Sequence, residues 1–325
     1  MSKAKVGLVG VGGFGRRIVE AAGKSSTLEP VACYDVQSEL ARSTAAHLGA
    51  RACGSYRELL AIDGLKGVML VLPNDLHRSF AESAAAAGKH IFVEKPLANT
   101  VADSRAMIAA ARKAGVILEV GHCTRRSGLC RKAKELVAAG ALGKVVGLEA
   151  NFSGPAGFRQ TEKTWRYHRS RCPVLPMTQL GVHILDFFIY LVGPVESVSG
   201  FARHAAMPGE NDDAVVINFQ TKSGVLGTLG SYYVTPHVWY FRVLGTEAVL
   251  FGPQDKLVLT RNDSEREIPV PDIGIIQEEV DEFGRCILEG KEPETNGESS
   301  LESVKVLEAA VISARVGSRV NLSEL

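Results

Sequence analysis

Apolar runs alternate with amphipathic helical patterns through the first third of the 325-residue chain. Each β-branched run ends at a polar or turn residue, and a pattern with a period near 3.6 follows it. The predicted strands cover residues 4–10, 30–34, 67–72, 90–93 and 116–120. Predicted helices end near Gly23 and Gly88, and a third covers Val101–Ala114. Strands separated by helices of this length predict a parallel, doubly wound sheet with right-handed crossovers.

After about residue 123 the apolar pattern changes to a period of two, broken by a few helices. Predicted helices cover residues 129–139, 180–192, 275–288 and 299–316. Predicted strands cover residues 145–152, 195–201, 214–219, 225–234, 239–244 and 256–260. Their short spacing predicts a mainly antiparallel sheet. We therefore expect an N-terminal Rossmann domain, residues 1–122, and a C-terminal α+β domain, residues 123–325, whose last helix is a candidate to pack back on the first domain.

A glycine motif follows the first predicted strand. It reads Gly10-x-Gly12-x-x-Gly15, and Asp35 lies twenty positions after the last glycine. The first glycine allows a sharp turn, the second allows close approach of a pyrophosphate, and the third allows close packing of helix on strand. The motif predicts a bound dinucleotide whose diphosphate lies at a helix N-terminus. The other residues predicted to contact it in this loop are Gly13 and Phe14.

Further candidate side chains follow the other predicted strands. In open α/β sheets the ligand lies beyond the carboxyl ends of the strands, and loops there carry binding groups on a rigid scaffold. We therefore expect these positions to contribute to the cofactor site. The predicted cofactor-contacting residues are Asp35, Val36, Leu72, Pro73, Asn74, His77, Glu94, Lys95 and His122.

The charge balance of the chain argues against large anionic partners. The chain has 37 basic and 36 acidic residues and a net charge of +1, so the sequence predicts neither a nucleic-acid nor a membrane partner. We expect a small-molecule substrate. Six scattered cysteines without a Cys-x-x-Cys pair, no long apolar run and no signal-peptide pattern predict a cytoplasmic protein without a metal site.

Several motifs in one order give the chain a family resemblance that covers nearly its whole length. Those motifs are the glycine loop, Pro73-Asn-Asp-Leu-His77, Glu94-Lys95-Pro96-Leu97, Gly121-His122 with Arg125-Arg126, Ala141-Leu-Gly143-Lys-Val145 and Gly181-Val-His183-Ile-Leu-Asp186. In the order of these motifs, the chain resembles the glucose-fructose oxidoreductase/inositol dehydrogenase/MocA (Gfo/Idh/MocA) family. The resemblance implies a Rossmann domain followed by an open-faced, mainly antiparallel α/β domain, with the active site between them. It also implies a nicotinamide cofactor and hydride transfer to or from a hydroxylated carbon.

Lys95 and His183 are the candidate catalytic residues. Oxidation of a secondary alcohol needs a base for the hydroxyl proton, and the reverse reaction needs an acid at the same position. Partial desolvation at the end of a buried strand would favour the neutral, basic form of Lys95. Histidine is suited to share that proton or to hydrogen-bond the reacting oxygen.

Gln179 departs from the pattern of the family that the chain resembles. Many members have an aspartate four residues before the histidine, on the same helical face. Glutamine can position a hydroxyl group but cannot titrate. We include Gln179 among the catalytic candidates and expect an active enzyme in which Lys95 or His183 handles the proton.

The residue at the end of the second strand favours NAD over NADP. The Asp35 carboxylate would accept hydrogen bonds from the adenosine ribose and repel a 2′-phosphate. The next residues, Val36-Gln37-Ser38, offer no arginine to bind such a phosphate.

The sequence predicts a class of substrate and no individual substrate. Cationic residues on segments that border the substrate site by resemblance suggest a carboxylated or phosphorylated substrate. The predicted substrate-contacting residues are Arg125, Arg126, Trp165, Arg166, Gln179 and His183.

Two alternatives stay open, and self-association is expected. The protein could be a nicotinamide-binding sensor or scaffold without turnover, which Gln179 motivates. It could also use bound NAD as a transient oxidant in glycoside hydrolysis or epimerisation, as some members of the family do. Residues 225–234 carry apolar side chains at both odd and even positions, and therefore on both faces of the predicted strand. This predicts a sheet covered on both faces and a homodimer or homotetramer.

Overall fold

The computed structural model describes residues 3–325, and the chain divides into two compact units. The first unit contains the chain up to Ala98, Ala102–Cys123 and Gly274–Leu301. The second contains Asn99–Val101, Thr124–Ile273 and Glu302–Leu325. The first unit also contains Gly274–Leu301, so a single cut in the chain does not separate the two units. The predicted domain boundary between residues 122 and 123 stays a prediction.

The first unit contains a parallel sheet of six strands. The strands are β1 Ala4–Val9, β2 Leu28–Tyr34, β3 Arg51–Ala52, β4 Gly67–Leu70, β5 His90–Glu94 and β6 Leu118–Gly121. Their order is β3-β2-β1-β4-β5-β6, and every neighbouring pair is parallel. Strand order reverses beside β1, so the predicted doubly wound arrangement is confirmed.

Helices connect these strands. They are α1 Gly15–Lys24, α2 Ser38–Leu48, α3 Tyr56–Leu60, α4 His77–Ala86 and α5 Val101–Ala114. The pattern predicted α5 with the observed bounds, whereas α2, α3 and β3 were not predicted. Helix α2 buries only the small side chains of Ala41 and Ala45, and β3 is two residues long. Such elements leave little periodic apolar signal.

The second unit is built on a nine-stranded sheet. The strands are β7 Val145–Ser153, β8 Val195–Arg203, β9 Ala214–Thr221, β10 Leu226–Tyr232, β11 Val238–Gly245, β12 Val249–Pro253, β13 Val258–Arg261, β14 Ser264–Glu267 and β15 Val320–Asn321. Their order is β14-β13-β12-β11-β7-β10-β9-β8-β15. The pair β7 and β10 is parallel, and the other neighbouring pairs are antiparallel. The predicted mainly antiparallel sheet is confirmed.

Four more helices complete the fold. They are α6 Gly128–Ala138, α7 Val182–Val192, α8 Ile275–Glu289 and α9 Gly297–Val316. Helix α7 is preceded by a π-helical turn, Met177–Gly181, so the α-helix begins two residues later than predicted. Its aromatic side chains Phe187 and Phe188 belong to the core of the second unit. Within residues 3–325, no helix combines the length and the apolar character that crossing a membrane requires.

Large apolar side chains are exposed on strands of the second sheet. Phe201 on β8 is 76% exposed and Leu226 on β10 is 61% exposed. Single exposed apolar side chains are common on protein surfaces, so these two do not test the expected homodimer or homotetramer, which stays a prediction.

Helix α8 packs closely on the start of β2, and this contact gives a test of the fold. A Cβ added at Gly284 would lie 2.2 Å from Thr27 Oγ1. Overpacking of this kind lowers the free energy of unfolding by about 1–3 kcal/mol. We expect Gly284→Ala to lower it by that amount in urea unfolding followed by circular dichroism. Gly274→Ala is the control, because its added Cβ has Gln277 Cβ at 3.7 Å as its nearest neighbour. Equal stability of the two variants would contradict the packing.

Candidate active site

The glycine loop is held against the sheet by close backbone contacts. Gly10 has φ +81°, and a Cβ there would lie 2.1 Å from the Val71 carbonyl oxygen. A Cβ at Gly15 would lie 2.1 Å from the Gly10 carbonyl oxygen. Only glycine fits either position without a shift of backbone. The first turn of α1 therefore packs directly on the end of β1.

The middle of the same loop has room for a ligand. Gly13 has φ +46°, and a Cβ there would have no atom within 4 Å. A Cβ at Gly12 would meet only Leu40 Cδ1, at 3.3 Å. Phe14 follows at the N-cap of α1 and is half-buried. Bare backbone at a helix N-terminus suits a diphosphate, so the residues present fit the dinucleotide that the fold implies.

Asp35 joins the end of β2 to the glycine loop. Its Oδ2 accepts a hydrogen bond from the Val11 amide at 3.0 Å, and its Oδ1 accepts one from the Gln37 amide at 2.9 Å. A carboxylate has about four acceptor positions, so these two bonds leave capacity for ribose hydroxyls. Val36, predicted as a cofactor contact, is 84% exposed beside it.

His77 links two loops at the carboxyl edge of the sheet. Its Nδ1 lies 3.0 Å from the Pro96 carbonyl oxygen and 3.2 Å from that of Leu97. Its Nε2 lies 3.1 Å from the Leu72 carbonyl oxygen. Burial lowers the pKa of His77, although the three carbonyl oxygens favour a proton on the ring. The fully buried ring positions the loop after Lys95, and a cofactor contact of its own stays a prediction.

The predicted residues between these loops differ in accessibility. Leu72 and Pro73 are half-buried, whereas Asn74 is 4% exposed. His122, one residue beyond β6, is 1% exposed. A cofactor contact by either buried side chain stays a prediction.

Glu94 is a buried carboxyl group at the end of β5. Its Oε2 accepts a hydrogen bond from the Lys95 amide at 3.3 Å, and within residues 3–325 its Oε1 has no hydrogen-bond partner. Gly121 is its register partner on β6, and a Cβ there would lie 2.9 Å from Oε1. Glycine at 121 therefore makes room for the carboxyl group.

Burial changes the acidity of this carboxyl group. Loss of hydration raises the pKa of Glu94 from 4.5 to about 7, although the charges of Lys95 and Arg17 act in the opposite direction. Lys95 itself is half-buried. A carboxyl group that titrates near neutrality thus directly precedes the candidate base.

In the second unit, His183 lies in the first turn of α7. Its Nδ1 is 3.1 Å from the hydroxyl oxygen of Thr124, and its ring is tilted against Phe152 with centroids 5.9 Å apart. The imidazole is half-buried. The hydroxyl contact fixes the orientation of the ring, and the sequence analysis did not single out Thr124.

Arg125 and Arg126, predicted as substrate contacts, are both buried. Arg125 Nε donates a hydrogen bond to Asp186 Oδ2 at 3.0 Å, and Arg125 Cζ lies 5.0 Å from the centroid of the Tyr190 ring. Arg126 is 0% exposed. A substrate contact of Arg125 would compete with this ion pair, which holds Thr124–Arg126 against α7, so a substrate contact of Arg125 stays a prediction. Asp186 lies three residues after His183 on one helix, so the two side chains share a face. That spacing was the sequence signal that Asp186 lies near the segment Thr124–Arg126.

Gln179, Arg166 and Trp165 lie together. Arg166 Nε donates a hydrogen bond to Gln179 Oε1 at 2.8 Å, and Arg166 Cζ lies 4.3 Å from the centroid of the Trp165 ring. Gln179 Nε2 is 3.5 Å from Cys172 Sγ. Gln179 is buried, whereas Arg166 and Trp165 are half-buried. Three predicted residues, Gln179, Arg166 and Trp165, therefore form one cluster, the Gln179 cluster, and Gln179 itself lies four residues before His183.

The predicted residues thus fall into two groups, one in each unit. The glycine loop, Asp35, His77, Glu94 and Lys95 lie at the carboxyl edge of the first sheet. In the second unit, Gln179 lies in the π-helical turn before α7 with Arg166 hydrogen-bonded to it and Trp165 against Arg166, and His183 lies in the first turn of α7. Within residues 3–325, no group of three or more His, Cys, Asp or Glu side chains is placed to hold a metal ion.

Two family models match the chain. The model described as an oxidoreductase family with an NAD-binding Rossmann fold matches residues 4–122. The GFO/IDH/MocA C-terminal domain model matches residues 130–251. The first match includes the glycine loop and Lys95, and the second includes Arg166, Gln179 and His183.

Named proteins resemble the chain over nearly its whole length. A 1,5-anhydro-D-fructose reductase of Ensifer adhaerens is 26% identical, over 96% of this chain and 96% of that protein. A D-xylose 1-dehydrogenase (NADP(+)) of Haloferax volcanii is 28% identical, over 97% of this chain and 99% of that protein. The crystal structure of aldose-aldose oxidoreductase from Caulobacter crescentus, complexed with glycerol, has a TM-score of 0.90 at 26% identity and covers 98% of this chain and 100% of that chain.

Glu94 gives a test of the electrostatics of the site. A folded-state pKa of about 7 against 4.5 when hydrated means that between these values the folded state keeps a proton that the unfolded state loses. The free energy of unfolding therefore falls as pH rises through this window, by about 2–3 kcal/mol. Glu94→Gln removes the titration. We expect the stability of the wild type relative to Glu94→Gln to fall by that amount between about pH 5 and about pH 8 in urea unfolding. A difference that stays constant with pH would contradict the buried carboxyl group.

Proposed function

Because the chain belongs to the GFO/IDH/MocA family of oxidoreductases, we propose that it is an NAD-dependent dehydrogenase or reductase of a sugar, polyol or sugar acid. The names of its relatives, a sugar dehydrogenase and a reductase of an anhydro sugar, support this substrate class. The bound nicotinamide would accept or supply the hydride. The observation that carries the proposal is the half-buried Lys95 beside a buried carboxyl group, at the same sheet edge as the glycine loop.

Lys95 is proposed to move the proton of the reacting hydroxyl group. In its neutral form a lysine amine can accept the hydroxyl proton, which is the role of a general base. Glu94 contributes through its field, because its ionised form stabilises the protonated amine and its neutral form does not. His77 supports the arrangement by holding the carbonyl groups of Pro96 and Leu97.

His183 is proposed to hydrogen-bond the reacting oxygen or to share its proton. The Thr124 hydroxyl fixes one ring nitrogen, which orients the imidazole. Gln179 cannot titrate, so in this proposal it positions Arg166 and takes no part in proton transfer. Proton transfer is then left to Lys95 and His183.

The direct test is a substrate screen in which nicotinamide absorbance and products are followed together. Polyols, sugars and sugar acids are offered with NAD, and the corresponding carbonyl compounds are offered with NADH. We expect turnover by the wild type and a loss of about 10²–10⁴-fold in kcat for Lys95→Ala, the range for a general base. Binding of NAD to Lys95→Ala, measured by calorimetry, should persist. Lys113→Ala, at an exposed position of α5, is the control.

The outcomes separate the alternatives. NAD binding without any turnover would favour a sensor or scaffold. Product formation without net NADH would favour NAD as a transient oxidant in hydrolysis or epimerisation. Full activity of Lys95→Ala would show that the assigned base is wrong.

NAD is the proposed cofactor, although a named relative uses NADP. The support is the Asp35 carboxylate, fixed by two amides at the end of β2, which would repel a 2′-phosphate.

We expect Asp35→Ser to reduce the ratio of kcat/KM for NAD over NADP. Hydrogen bonds to a charged group contribute about 1.5–3 kcal/mol, so the ratio should fall by about tenfold or more. Asp35→Asn, which removes the charge and keeps one carbonyl oxygen, should lower it in the same direction. Glu29→Gln, at the other end of β2, should leave it unchanged. A wild-type enzyme that prefers NADP would contradict the assignment.

A further inference from the structure

We propose that Arg166 binds a carboxylate of the substrate, and that Gln179 keeps this guanidinium available for it. The substrates are then sugar acids in preference to neutral sugars. The inference rests on the proposed oxidoreductase function and narrows its substrate class.

The guanidinium is oriented before any substrate arrives. Its Nε donates to Gln179 Oε1 at 2.8 Å, and its Cζ lies 4.3 Å from the centroid of the Trp165 ring. One contact fixes an edge of the planar group and the other fixes a face. The two terminal amino groups then present the remaining donors as a fork, which matches the two oxygens of a carboxylate.

The positive charge of Arg166 is not neutralised by the protein. Within residues 3–325, no carboxylate oxygen lies within ion-pair distance of its guanidinium. The acidic side chains of the adjoining segment have other partners. Asp212 pairs with Arg169, Glu210 accepts from the Arg169 amide, and Asp213 accepts from the amides of residues 205, 206 and 207.

The residue type at position 179 decides this charge balance. Gln179 offers Arg166 a neutral carbonyl oxygen, which orients the guanidinium and leaves its charge in place. An aspartate in the same position would form an ion pair and compete with an anionic substrate. Glutamine at position 179 therefore takes no part in proton transfer and leaves the positive charge of Arg166 in place.

The placement of this cation connects it to His183, in the same unit. Gln179 lies in the π-helical turn that runs directly into α7, and His183 lies in the first turn of that helix. Trp165 and Arg166 are half-buried, so this pair of side chains is partly open to solvent and to a ligand. A single guanidinium matches the single charge of a carboxylate, whereas a phosphate dianion would leave excess negative charge.

The experiment compares kcat/KM for an aldose, its uronate and its 6-phosphate with NAD at fixed ionic strength. We expect the wild type to favour the uronate over the aldose by about tenfold or more, the effect of one hydrogen-bonded charged contact. Arg166→Gln and Gln179→Asp should each lower that ratio by about 10–100-fold. Arg166→Lys, which keeps the charge and loses the fork, should lower it less. Arg169→Gln is the matched control on the same segment, since its guanidinium already has an acidic partner.

Each outcome decides the inference. Equal turnover of uronate and aldose by the wild type, or a preference for the 6-phosphate, overturns it. A fall in the ratio for Arg169→Gln as large as that for Arg166→Gln also overturns it, because the effect would then come from general charge. If the wild type turns over nothing, the proposed function has failed. The inference is then decided by calorimetry of uronate in the presence of NADH: a loss of about tenfold or more in affinity for Arg166→Gln supports it, and unchanged affinity overturns it.

Discussion

The parallel pairing of β1 with both β2 and β4 is the constraint on which the candidate cofactor site of the first unit depends. Parallel strands bring their carboxyl ends to one edge, and the reversal of strand order beside β1 opens a crevice there. Asp35 and His77 then join the loops of neighbouring strands through backbone amide and carbonyl groups. Lys95 acquires its position from this set of joined loops.

Two buried carboxyl groups, one in each unit, have different surroundings and therefore different chemistry. Asp186 has its charge matched by the guanidinium of Arg125, so it holds a loop against a helix. Glu94 accepts a hydrogen bond from the Lys95 amide, its other oxygen has no hydrogen-bond partner within residues 3–325, and its pKa rises to about 7. Burial without full compensation is costly for a charge. That cost is what makes Glu94 responsive to pH near neutrality.

The Gln179 cluster, the site of the proposed carboxylate contact, combines a side chain that cannot titrate with an oriented cation. As a neutral residue, Gln179 cannot take a proton, yet its carbonyl oxygen orients Arg166. The stacked Trp165 ring adds a second restraint. Binding of the proposed carboxylate would then cost less side-chain entropy, because the Arg166 guanidinium is already oriented.

The sequence by itself determined the two-part fold, the glycine loop, Asp35 and the positions of Lys95 and His183 along the chain. Periodicity and glycine spacing are local properties, so they can be recognised without knowledge of distant contacts. It could not show that Arg125 pairs with Asp186 inside the second unit or that Gly121 makes room for Glu94. Only the tertiary structure decided these, since burial and pairing depend on residues that lie far apart in sequence. The same arginine-rich pattern contained a buried structural ion pair and an oriented cation, and their difference lies in which side chain each guanidinium meets.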